Sequence, residues 1–173
     1  DAEWLHGLVE NILNLTKLQD GKLVLDKQPE ALEEVIGAAL TVMEKRLSGR
    51  SIDVNMPDEV VMVPVDAKLI SQVLINLLDN AAAHTPRGGT VTLTVAKENN
   101  RFILRVTDTG PGFTAAALAR AGEMFYTDAA RSDSAHQGLG LYSARRTAAA
   151  HGGTLRVSNT PGGCAELCLP ICE

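Results

Sequence analysis

Two asparagines stand in the stretch "VLINLLDNAAAHTPRGG", residues 73–89, where a buried helix should carry none. Asn76 and Asn80 are four residues apart in an otherwise apolar run. Asparagine competes for backbone hydrogen bonds and favours caps and turns over helix interiors. At about 100° per residue, Ile70, Val73, Leu74, Leu77, Leu78 and Ala81 fall in one stripe that needs a sheet to pack on. The asparagines lie together at the edge of that stripe, and Asp79 points away to solvent. Two amides on the border of a core either satisfy buried backbone or offer carbonyl oxygens to a hard cation or to phosphate groups.

Two further stretches carry chemistry. In "VTDTGPGF" a strand ends on Asp108, followed by Gly110 and Gly112. A carboxylate there can accept a hydrogen bond from an exocyclic amine, while glycines let backbone come close to a flat ring. In "QGLGLYSARR" Gly138 and Gly140 open a helix whose free N–H groups and positive dipole end make an anion site. Each pattern alone is weak, since any strand-to-loop turn or helix start can supply it.

The elements that must hold these residues follow from periodicity. Residues 1–20 place Leu5, Leu8, Ile12 and Leu15 on one face, widened by Trp4, Val9 and Leu18, which predicts an amphipathic helix that needs a partner. After an extended piece at Leu23–Leu25, a second helix is expected over roughly residues 30–47, acidic in its first turn. "SIDVNM" and "EVVMVPVD" read as a strand pair across a Pro-Asp turn. The asparagine helix runs from about Ala67 to Ala83, and "TVTLTVAK" and "RFILRVTD" form a hairpin through "ENN". Residues 114–137 look irregular, a fourth helix begins near Gly138, and "TLRVSN" with "CAELCLP" closes the chain as a second hairpin. The order predicts an α+β fold, a two-layer sandwich of a mixed β-sheet with helices on one face, preceded by the N-terminal helix.

Composition sets the setting. The chain has 173 residues, 45% hydrophobic, with a net charge of −5 and no block of Lys or Arg, so nothing asks for a nucleic acid. It opens on Asp, as an excised piece of something longer would. No run reaches the roughly 18 apolar residues of a membrane span, so a soluble, cytoplasmic piece is expected. Cys164, Cys168 and Cys172 cluster in the last ten residues, an odd count with no common zinc spacing. They read as small residues of a terminal strand, with Cys164 and Cys168 sharing the outward parity of Glu166.

Taken in order, the asparagine helix, D-x-G-x-G, a loose polar loop and G-L-G-L resemble the N, G1, F and G2 boxes of the sensor histidine kinase ATP-binding domain. That domain belongs to the wider family of gyrase, Hsp90 and MutL. The resemblance covers about residues 29–173, while residues 1–28, through "LTKLQDGKLVLDKQP", look like the second helix of the kinase dimerisation domain. "LEEVIGAAL" and "VPVDAKLISQVLINLLDNA" look most like the potassium-responsive sensor kinases.

The resemblance implies ATP and Mg²⁺ as ligands, with Asn80 as the metal ligand and Asn76 on phosphate. Asp108 would bind the adenine amino group beside Gly110 and Gly112, and the backbone of Gly138, Leu139, Gly140 and Leu141 would hold phosphates. "EMFYTDAARSD" would be the ATP lid, anchored by Phe125 and Tyr126, with Arg131 reaching a phosphate or else standing solvated in a loop. ATP-hydrolysing relatives carry a Glu four residues before the Mg²⁺ asparagine; here Asn76 stands there, and an amide cannot take a proton. Phosphoryl transfer to a separate nucleophile is therefore implied, driven by positioning and charge neutralisation.

Departures accompany the match. The Lys usual three residues after the Mg²⁺ asparagine is Ala83, and the aromatic after it is His84, which can still lie against adenine. Gly122 and Thr127 replace a Phe and an Arg of the F box, and His136 replaces the leading Gly of the G2 box. The acceptor pattern, a histidine followed by a carboxylate, is not met by His6, and His136 and His151 are no better; His151 reads as a helix-end residue favoured by the dipole. The expected partners are the kinase's own dimerisation domain with its acceptor histidine, a response regulator and a second copy of a membrane-anchored parent. A nucleotide-binding regulatory module without transfer stays open, as does an interaction module without nucleotide, against which Asp108 and the two glycine motifs speak.

Overall fold

The computed structural model describes residues 24–120, 140–160 and 162–171, together with Val9 and Leu13. Both isolated residues are helical, and Val9 is 45% exposed; the rest of the expected N-terminal helix lies outside the described residues. Strand β1, Gln28–Ala31, leads directly into helix α1, Leu32–Val42. Strands β2, Ser51–Asn55, and β3, Met62–Val65, precede helix α2, Ala67–His84. Then come β4, Thr90–Glu98, β5, Arg101–Asp108, a short helix α3, Ala115–Arg120, and helix α4, Gly140–Ala150. Strands β6, Thr154–Asn159, and β7, Gly163–Pro170, finish the fold.

Five strands form one mixed sheet in the order β2-β4-β5-β7-β6, antiparallel except for the β2–β4 pair. Alternation makes it one-sided: Val91, Leu93 and Val95 on β4, Phe102, Leu104 and Val106 on β5, and Leu167 and Leu169 on β7 are buried. The helices cover that face, and α2 is their centre, with Ile70, Val73, Leu74, Leu77, Leu78 and Ala81 buried as the sequence predicts. On the outer face the Arg105 guanidinium bonds the Glu166 carboxylate at 2.7 Å across β5 and β7. Both hairpins form where expected, β4–β5 through Asn99–Asn100 and β6–β7 with Asn159 paired to Gly163.

Several expectations fail for physical reasons. "SIDVNM" and "EVVMVPVD" are strands but not partners: β2 lies parallel to β4, and β3 pairs with β1 in a separate two-stranded sheet. The β1 strand takes the place of the first turn expected of the second helix, because the Leu32 amide donates to the Val61 carbonyl and no side chain caps α1. At its other end α1 yields to turns after Val42, where the Thr41 hydroxyl donates back to the Gly37 carbonyl. Residues 115–120 are helical rather than irregular, and α4 is described over Gly140–Ala150. Cys164 is buried at 3% exposure, not outward. Asp79 is not free in solvent; its carboxylate bonds the Arg46 guanidinium at 2.8 Å.

Helix α2 is fixed at both ends. The Asp66 carboxylate accepts from the Leu69 amide as N-cap. At the exit the Thr85 hydroxyl donates to the Ala81 carbonyl at 2.7 Å, and Arg50 donates to the Thr85 carbonyl, also at 2.7 Å. No helix among the described residues is long and apolar enough to cross a membrane.

Because α2 packs on the sheet and on both α1 and α4, truncating its centre tests the packing. Leu74 is fully buried, and Leu74→Ala should cost about 2–5 kcal/mol. Urea unfolding followed by circular dichroism measures it; a loss under about 1 kcal/mol would contradict this placement of α2.

Candidate functional site

One cleft gathers residues from distant parts of the chain. Leu77, Asn80 and Ala81 of α2, Val106 and Asp108 of β5, Phe113, and Gly163, Cys164 and Ala165 of β7 line it. Burial of the α2 stripe against the sheet turns the asparagine edge of the helix toward the C-terminal end of β5. Asn80 and Asp108 thus share a cleft because a hydrophobic pattern and a strand end coincide, with no direct bond between them required.

Asp108 is 9% exposed and oriented by backbone. Its Oδ1 accepts from the Gly110 amide at 2.8 Å and from the Gly163 amide at 3.3 Å. Two N–H donors on one oxygen hold the carboxylate in a fixed plane among Leu77, Val106 and Phe113. Gly110 packs on the carbonyl of His84, and a Cβ there would collide with that oxygen. Gly112 follows with φ +82°. The turn between β6 and β7 seats Gly162 directly on the Asp108 carbonyl. D-x-G-x-G is therefore a joint at which β5, the end of α2 and the last hairpin meet.

The remaining expected residues divide into three groups. Asn76 is 8% exposed, accepts from the Gln72 amide at 3.3 Å, and faces the first residue of α4: a Cβ on Gly140 would stand 3.7 Å from its side chain. Asn76 and Gly140 therefore belong together, and Leu141 follows in α4, packed against the core. His84 lies at the other end of the site, its ring edge-on to Phe113 with centroids 6.5 Å apart. Phe125, Tyr126, Arg131, Gly138 and Leu139 lie outside the described residues.

Some site residues escaped the sequence. Phe113 is clamped by Asn159, whose Oδ1 accepts from the Phe113 amide at 2.7 Å and whose amide donates to its carbonyl at 2.9 Å. Gly163 and Cys164 enter from the terminal strand. The only local signal for any of them was the turn "TPGG", whose place against Asp108 depends on the pairing of β7 with β5.

A mixed sheet roofed by helices, with this cleft at the end of β5, defines an ATPase-type α+β sandwich. Residues 65–172 match the histidine kinase-, DNA gyrase B- and HSP90-like ATPase family, and the chain belongs to that family. Sensor protein KdpD of Clostridium acetobutylicum is 34% identical over 165 residues, 94% of this chain but 18% of that protein. The chain thus spans less than a fifth of the length of that curated relative. Among solved structures, the mycobacterial sensor histidine kinase MprB superposes with a TM-score of 0.75 at 29% identity, covering 83% of this chain and 97% of that one. Full-length ShkA, solved in complex with AMPPNP, gives 0.78 at 28% identity, over 96% of this chain and 35% of that one.

Gly110→Ala should displace the His84 carbonyl and tilt the Asp108 carboxylate while leaving the five-stranded sheet intact. Far-ultraviolet circular dichroism unchanged, together with nucleotide affinity reduced tenfold or more (about 1.4 kcal/mol), is the expected pair of results. Undiminished affinity would mean that the joint does not shape the cleft.

Proposed function

We propose that this chain is the ATP-binding catalytic domain of a two-component sensor histidine kinase, passing the γ-phosphate to a histidine on the kinase's own dimerisation domain. The observation that carries this reading is the convergence of Asn80 and Asp108 on one cleft while Asn76 faces the start of α4. A backbone-oriented carboxylate among Leu77, Val106 and Phe113 suits a flat purine with one exocyclic amine: apolar walls cover the ring, and a single acceptor reads the amine. His84, against Phe113, would border the same ring, and Gly110 and Gly112 would let backbone approach it.

The opposite end of the cleft suits phosphates. The backbone N–H groups of Gly140 and Leu141 at the start of α4 would face the phosphates, and Gly138 and Leu139 would extend that cradle. Asn76, beside Gly140, can donate to a phosphate oxygen. Asn80 offers one amide oxygen to Mg²⁺, which fits a cation that keeps waters and nucleotide oxygens as its other ligands. Bound there, the ion would neutralise charge on the transferring group. Among the described residues no three His, Cys, Asp or Glu side chains converge into a cage of their own, so the nucleotide would have to bring most of the ligands. Phe125, Tyr126 and Arg131 would close over the phosphates as the lid.

Asn76 also argues for transfer over hydrolysis. It stands where a water-activating Glu would be needed, and an amide does not accept a proton at neutral pH. Similarity to KdpD and MprB supports the sensor-kinase reading, and AMPPNP bound to ShkA supports a nucleotide as ligand. In the same reading residues 1–28 belong to the dimerisation helix and residues 29–173 to the catalytic domain. The parent is a membrane-anchored homodimer of the potassium-responsive subgroup, serving a response regulator.

Calorimetry with ATP, with and without Mg²⁺, tests this on the wild type, Asn80→Ala and Asp108→Asn. Binding should weaken without Mg²⁺ or Asn80 and fall by about two orders of magnitude without the Asp108 carboxylate, a loss of about 3 kcal/mol. Labelled phosphate should then pass from ATP to a supplied dimerisation domain carrying the acceptor histidine. Binding without transfer would leave a regulatory nucleotide module; no binding at millimolar ATP would leave an interaction module.

A further inference from the structure

His151 follows the last residue of α4 and is 2% exposed. Its Nε2 lies 3.1 Å from the backbone nitrogen of Asp66, and its Nδ1 lies 2.9 Å from the Thr147 carbonyl. A backbone amide can only donate, so Nε2 must carry a lone pair and Nδ1 the proton. The imidazole is therefore neutral and held in one tautomer, which overturns the reading of a charged residue favoured by the helix dipole. Burial pushes its pKa below the ordinary histidine value. The Thr147 carbonyl opposes that shift, the Lys27 ammonium reinforces it, and the Asp66 carboxylate opposes it.

Asp66 is a junction. Its amide donates to His151, its Oδ1 accepts from Leu69 as the cap of α2, and its Oδ2 accepts from the Asp26 amide at 3.1 Å. Asp26 belongs to the segment that runs into β1 and follows the N-terminal helix region. The two helices of the phosphate end are thus tied twice. Gly140 faces Asn76 at one end, and His151 meets Asp66 at the other. From Asp66 to Asn76 and from Gly140 to His151 the helices rise by nearly the same length, about 15 and 16.5 Å at 1.5 Å per residue. Antiparallel helices tied at both ends have a fixed axial offset.

We propose that His151 is a positioning residue: its neutral ring sets the offset of α4 against α2, and through Asp66 it couples the nucleotide site to the segment entering β1. A proton on Nε2 removes the lone pair, leaves two buried N–H groups facing each other, and releases the tie. The coupling rests on the nucleotide reading above; the tie itself does not.

The sign of the pH effect follows from linkage. The folded chain keeps the imidazole neutral where the unfolded chain protonates it, so stability falls as the pH drops below about 6.5. It levels off once the folded ring also takes its proton. His151→Gln, whose amide oxygen can accept from Asp66 without titrating, should lose this contribution to the slope.

Two measurements on the whole chain decide the matter, Mg–ATP affinity by calorimetry and amide exchange at Asp26 and Asp66 by NMR, both between about pH 5 and pH 8. Protonation of ATP itself lowers every affinity alike, so the ratio of variant to wild type at each pH is the readout. The wild type should lose several-fold more affinity than His151→Gln on acidification, and its Asp66 amide should lose relative protection over the same range. His151→Phe, which fills the space without an acceptor, should bind ATP about fivefold more weakly near pH 7.5, roughly 1 kcal/mol by conversion, and exchange Asp26 faster. Superimposable profiles for wild type and His151→Gln would overturn the proposal, even if His151→Phe does not fold. Should the wild type bind no ATP, the nucleotide reading fails, and the exchange profiles of wild type and His151→Gln still decide the tie.

Discussion

The whole arrangement depends on burying one face of α2. Its leucines and valines must lie on the sheet, and once they do the rotation of the helix is set. Asn80 then lines the cleft, and Asn76 faces the start of α4. Polar residues in a core border are costly unless satisfied, and here the cost maintains the chemistry: Asn76 is held by Gln72, while Asn80 reaches the cleft. The same rotation sends Asp79 to the opposite side, where Arg46 receives it. Hydrophobic packing therefore aims the polar groups.

Asp108 shows the complementary device. A carboxylate at a strand end could adopt several orientations, and backbone amides from its own loop and from β7 select one. The glycines of the motif matter for what they leave out. Gly110 and Gly162 press backbone onto backbone around Asp108, where any side chain would push the parts away. Stiffness at this joint comes from close approach of main chains around the carboxylate.

Periodicity and turn chemistry revealed the parts of the fold that are local: α2 within a residue of its observed end, both hairpins, and the one-sided pattern of β4, β5 and β7. They did not reveal β1, because a four-residue strand containing Pro29 has no alternation long enough to read. Nor could they tell that β2 and β3 part company, since strand partners are chosen by burial of the whole sheet and not by the turn between them. The candidate site was legible where one residue type needs one chemistry, as with Asn76, Asn80 and Asp108. Phe113, Asn159 and Gly163 were not, for they enter through pairing of segments far apart in sequence. Cys164 escaped because parity assigns a face along a strand, whereas this residue ends one and lines the cleft. His151 was misread because a helix-end histidine meets the dipole only when it is exposed enough to hold a proton.

One outer-face feature bears on all of this. Glu166 lies opposite Arg105 on β5 and opposite Arg156 on β6. A single acid between two bases on adjacent strands is worth little as exposed ion pairs go. Its value is informational. If β7 slipped by two residues, its face pattern would survive, but Glu166 would stand opposite Ile103 or Thr107, and Arg105 opposite a cysteine. The same slip would carry the Gly163 amide about 7 Å along the strand, out of reach of Asp108. Apolar alternation tells β7 which side to present but tolerates even-numbered errors; charge on the solvent side rejects them. A few ordinary surface residues thus act as the spelling check on a buried carboxylate they never touch.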